Sequence, residues 1–100
     1  MNRGLTENRE MDLLIDQWLE YCLKIQDVTP NTIKAYRQDI KKFVIFLTKY
    51  FQKEINKAQL SLVDLTLLRA WIAYGKKNKL NNRSLLRKLS AVKNFYNWLN

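Results

Sequence analysis

Arg83, Arg87, Ser90 and Asn94 stand three or four residues apart near the end of the chain. On a helix that spacing brings them to one face. Arginine neutralises phosphates and can also hold a guanine edge with two parallel hydrogen bonds; asparagine can do the same with adenine. The row is therefore chemistry for a polyanion, and a helix carrying it fits the major groove of double-stranded DNA. A second row, Lys34, Arg37 and Lys41, has the spacing to track a phosphate backbone. Between Asn82 and Leu99 there is no acidic residue, although an ordinary solvated helix mixes glutamate with lysine to gain ion pairs.

Other chemistries find little support. Histidine is absent, so the usual acid–base and nucleophile-activating group is missing. No glycine-rich phosphate loop and no metal-ligand spacing occur. No catalytic residue, metal site or cofactor is expected in this stretch. Cys22 is the one cysteine; it rules out an internal disulfide, suits a reducing cytoplasm, and falls on an apolar helix face as a core residue. The three tryptophans, Trp18, Trp71 and Trp98, are read as core rather than base-stacking platforms, with Trp98 lying off the expected stripe.

The charge is unevenly spread. Residues 1–29 hold three basic and six acidic residues, a net of −3, whereas residues 30–100 hold fifteen basic and three acidic, a net of +12. That asymmetry is the footprint of a polyanion partner. The polar start lacks a signal peptide's apolar stretch, and no apolar run approaches the ~20 residues of a membrane span. A cytoplasmic protein that does not enter a membrane is expected.

The elements that must position these rows are helices. Two glycines and one proline in 100 residues are too few for the turns of a sheet protein. Periodicity predicts four helices in a single domain, at about residues 8–26, 30–51, 65–77 and 82–99. Their expected core faces are Met11, Leu14, Ile15, Trp18, Tyr21, Cys22 and Ile25; then Ile33, Tyr36, Ile40, Phe43, Val44, Leu47 and Phe51. Leu65, Leu68, Trp71 and Ile72 follow on the third helix, and Leu85, Leu89, Val92, Tyr96 and Leu99 on the fourth. Thr29 with Pro30, then Asp64, and then Asn81 or Asn82 are the expected N-terminal caps. Residues 52–63 read as a connection with at most a short turn. Gly75 marks either fraying or a close helix approach.

Two segments carry a resemblance. Thr29-Pro30-Asn31-Thr32-Ile33-Lys34-Ala35-Tyr36-Arg37-Gln38-Asp39-Ile40 contains Asn-Thr-x-x-x-Tyr-Arg-x-Asp. Ser84 to Leu99 reads Ser-x-x-Arg-x-Leu-Ser-Ala-x-Lys-x-Phe-Tyr-x-x-Leu. Together, about fifty residues apart, they are similar to the SAM-like N-terminal core-binding domain of phage integrases and Xer-type tyrosine recombinases. The resemblance implies an all-α, compact four-helix orthogonal bundle that grips double-stranded DNA from one side. By that likeness Asn31, Thr32, Lys34 and Arg37, with Arg83, Arg87, Ser90 and Asn94, are the expected DNA contacts. Arg87 and Ser90 match the motif position by position, and Lys93 keeps the charge where arginine is common. The likeness also implies a separate C-terminal catalytic domain of the same polypeptide, and other recombinase protomers in a DNA-bound tetramer. None of Tyr21, Tyr36, Tyr50, Tyr74 and Tyr96 is expected to be the nucleophile. The short lead before the first helix favours a cellular Xer over a phage integrase.

Two other readings stand beside this one. A helical protein-interaction module would dock through the first helix and Trp98. A basic helix at an anionic membrane would need the apolar faces that the core also needs. Arg87→Glu is expected to weaken DNA binding while sparing the helical signal.

Overall fold

A computed structural model describes residues 9–100. The predicted start of the first helix at residue 8 lies outside the described residues. Five helices follow in order: α1 Arg9–Lys24, α2 Pro30–Phe51, α3 Lys57–Ser61, α4 Leu65–Lys77 and α5 Asn82–Leu99. No strand occurs among the described residues. The fold is all-helical, with one helix more than the four expected.

Each of α2 to α5 begins where a side chain satisfies amides left free by the first turn. Thr29 Oγ1 accepts from the Thr32 N–H at 3.3 Å, and Pro30 occupies the first turn, where a missing N–H costs nothing. Asp64 Oδ1 accepts from the Leu67 N–H at 2.9 Å. Asn81, rather than Asn82, caps α5 through the Ser84 N–H at 2.8 Å. The unexpected helix, α3, owes its start to a reciprocal cap. Asn56 accepts from the amides of Ala58 and Gln59, while the Gln59 side chain accepts from the Asn56 N–H at 3.0 Å.

The core gathers Met11, Ile15, Trp18 and Cys22 from α1, Ile40, Phe43 and Leu47 from α2, and Ala91, Val92 and Phe95 from α5. Trp18 is its centre. It stacks on Tyr36 at 5.7 Å between ring centroids and meets Phe95 edge-on at 5.3 Å. Phe43 meets Trp71 edge-on at 4.9 Å, which seats α4 against α2. The Tyr96 hydroxyl donates to the Leu60 carbonyl at 2.8 Å and ties α5 to α3; burial pushes that phenol up to about 12. Burial likewise raises the Cys22 thiol, consistent with a core residue. Gly75 marks a close approach: a Cβ there would stand 2.7 Å from Leu85 Cδ2 on α5.

Some core expectations are corrected. Helix α1 ends at Lys24, because the chain turns through Asp27 in the left-handed region (φ 58°). Ile25 therefore leaves the helix and is exposed, as are Tyr21 and Leu65. On α5 the buried residues are Lys88, Ala91, Val92 and Phe95. At 100° per residue this set centres about 70° from the predicted stripe, turned towards Arg87 and Asn94. Leu85, Leu89 and Tyr96 are only half-buried as a result. Trp98 belongs to the core margin, 6.1 Å from Phe95, and is not an outlying side chain.

Candidate nucleic-acid interface

Asp39 is the single acidic residue of α2, and it is wholly buried against α5. Arg87 Nε donates to its Oδ2 at 2.8 Å and Arg87 Nη2 to its Oδ1 at 2.9 Å. Lys88 Nζ donates to the same Oδ1 at 3.0 Å. Consecutive residues on a helix diverge by about 100°, so Arg87 and Lys88 straddle the carboxylate from two sides. Burial alone would raise the Asp39 carboxyl, but the hydrogen bonds and charges of Arg87 and Lys88 outweigh it and hold the group below the usual carboxylate range. The bond to Asp39 in turn raises the Arg87 guanidinium. The Lys88 side chain is 7% exposed and that of Arg87 42%, so the cluster has one cation inside and one at the surface.

Further along α5, Asn94 is a clasp. Its Oδ1 accepts from the Trp18 indole N–H at 3.1 Å, and its Nδ2 donates to Gln26 Oε1 at 3.0 Å. A groove of about 350 Å³ opens beside it, lined by Gln26, Tyr36, Ser90, Lys93, Asn94 and Asn97. Arg83, Ser90, Lys93 and Asn97 are exposed, and Arg83 and Lys93 form no ion pair among the described residues.

The predicted residues do not all share one surface. Arg37 reaches α1, where its Nη1 bonds Asp16 Oδ1 at 2.7 Å. Around α2, Arg37 and Asp39 lie about 160° apart. Lys34 and Lys41 are exposed on the flank of Arg37, turned from α5. Thr32 is half-buried, its hydroxyl bonded to that of Thr29 at 3.0 Å, and Asn31 is exposed next to it. Lys42 instead borders the crevice that holds Lys88 and Leu85. The structure thus groups Arg83, Arg87, Ser90 and Lys93 along α5, and separates them from Lys34, Arg37 and Lys41.

The expectation of an unencumbered outward row on α5 is corrected at two positions. Arg87 is shared with Asp39, and Asn94 spends its amide inside the fold. Arg87→Glu would set a second carboxylate against a buried one, so that variant is expected to destabilise the fold rather than spare it. Lys88 and Asp39 were not foreseen as a site. The available signal was Asp39 itself, a lone acid on an otherwise basic helix, one turn before Phe43 on the apolar flank.

Residues 15–100 match the phage integrase N-terminal SAM-like domain. The chain belongs to that family. It is 36% identical over 86 residues to the tyrosine recombinase XerC of Rickettsia typhi, a stretch covering 86% of this chain and 28% of that protein. It is 35% identical to the tyrosine recombinase XerC of Rickettsia prowazekii and 33% identical to that of Rickettsia canadensis, with the same coverage. The chain thus spans 28% of the length of these relatives. No solved structure matches it. No helix among the described residues is long and apolar enough to cross a membrane.

Proposed function

We propose that this domain binds double-stranded DNA as the core-binding part of a site-specific tyrosine recombinase of the Xer type. The observation that carries the reading is α5: four cations, Arg83, Arg87, Lys88 and Lys93, and no acid. Its outer side offers Arg83, Ser90, Lys93 and Asn97 to a partner. Arg83 and Lys93 suit phosphates or a guanine edge, and Ser90 and Asn97 suit base or sugar groups. Membership of the integrase N-terminal family supports the same partner. Strand cutting and rejoining, pairing with other protomers on DNA, and a cytoplasmic location belong to this reading as properties of the longer protein. The row Lys34, Arg37 and Lys41 takes a secondary role, because Arg37 is engaged by Asp16.

The alternative of a protein-interaction module docking through Trp98 is less well supported, since Trp98 packs beside Phe95. The test is a fluorescence-anisotropy titration of a labelled duplex of mixed sequence at about 50 and 200 mM salt. Three phosphate contacts, one each for Arg83, Arg87 and Lys93, would lower affinity about fortyfold across that range. Affinity indifferent to salt would overturn the reading.

A further inference from the structure

A buried carboxylate needs one cation to be neutral, yet Asp39 has two. The pair Asp39–Lys88 closes on itself inside the protein: Asp39 is wholly buried and the Lys88 side chain is 7% exposed. Arg87 then carries the excess positive charge, and it is the partner that reaches solvent. Its Nε and Nη2 are held by the carboxylate, while its Nη1 has no hydrogen bond among the described residues. A guanidinium fixed in this way has already lost the freedom that a loose surface arginine would lose on meeting a phosphate. Without Lys88, Arg87 and Asp39 would form a neutral pair of little value to an anion.

We infer that Lys88 is a positioning residue for nucleic-acid binding: buried and out of reach of DNA, it neutralises Asp39 so that the anchored Arg87 presents a full charge to one backbone phosphate. The inference rests on the DNA-binding reading above, and it assigns to Asp39 the role of orienting the guanidinium. Lys88 serves only through Arg87.

The experiment measures the salt dependence of binding to the labelled duplex for the full chain and four variants, with circular dichroism to confirm folding. Arg87→Ala leaves Asp39 paired with Lys88, and its logarithmic salt slope should be shallower by about 0.9, one phosphate contact. Lys88→Met should lose about the same, although the residue is buried. Adding Asp39→Asn to Lys88→Met restores the excess charge on Arg87 and should return the slope to that of the unaltered chain. Lys88→Arg should leave the slope unchanged.

A purely structural lysine would change stability and leave the Lys88→Met slope at that of the unaltered chain, and that result overturns the inference. Should Lys88→Met not fold, Lys88→Gln, which can still bond Asp39 but carries no charge, takes its place and must lose about one unit of slope; an unchanged slope there overturns the inference. If the unaltered chain binds without salt dependence, the DNA-binding reading itself has failed. A salt-dependent parent with an unchanged Lys88→Met slope sinks only the role given to Lys88.

Discussion

Arg37 and Arg87 are equally exposed, each with 42% of its side chain in solvent, and each bonds an aspartate at under 3 Å. Their acids differ. Asp16 is 60% exposed, whereas Asp39 is wholly buried. On α1 the pair can trade its partner for water, so the contact is worth about 0–1 kcal/mol. At the α2–α5 junction water is excluded, and loss of a partner leaves a charge with nothing to solvate it. The exposure of an arginine is therefore a poor guide to what holds it; the environment of its acid is the better one.

The largest expected effect tests the buried side of that contrast. Asp39→Ala strands Lys88 in the interior and should destabilise the chain by about 3–5 kcal/mol in urea unfolding. A loss below about 1 kcal/mol would place this pair with the surface ones.

Acid should act on the same group. Because its folded-state pKa lies below the ordinary value, Asp39 contributes its full stabilisation above about pH 4, where the unfolded group titrates. That contribution disappears as pH falls through the lower, folded value. Stability measured by urea from neutral pH downwards should show this decline in the unaltered chain and lack it in Asp39→Asn. Parallel acid limbs in the two proteins would exclude Asp39 as the cause.

Arg87→Ala should cost less, about 1.5–3 kcal/mol for its charged hydrogen bonds, since Lys88 still neutralises the carboxylate. Smallest of all, Asp16→Asn should change stability by less than about 1 kcal/mol. If its effect equalled that of Arg87→Ala, burial of the acid would not be what separates the two pairs.

Much of the scaffold was legible because it depends on local patterns. The limits of α2, α4 and α5 follow from Thr29-Pro30, Asp64 and Asn81 with the apolar repeats behind them. The start of α3 has a local signal of the same kind, in that Asn56 and Gln59 are spaced as a reciprocal cap. The phase of α5 was not legible in the same way. Leu85, Leu89 and Tyr96 pull the apparent stripe to one side, and Lys88 reads as a surface residue until its partner is known. That partner is 49 residues away in sequence, beyond the reach of any periodicity argument. The same long-range bonding explains why Asn94 and Arg37, sound choices by residue type, prove to be engaged within the fold.

The amide of Asn94 joins three parts of the molecule: the indole of α1, the Gln26 side chain after α1, and α5 itself. Turning α5 about its own axis, or sliding it along, would break both contacts together. A partner arriving at this helix therefore meets a rigid rail rather than a pliable arm. On the DNA-binding reading proposed above, adjustment to different target shapes would then fall to the partner bending, or to movement of the domain as a whole.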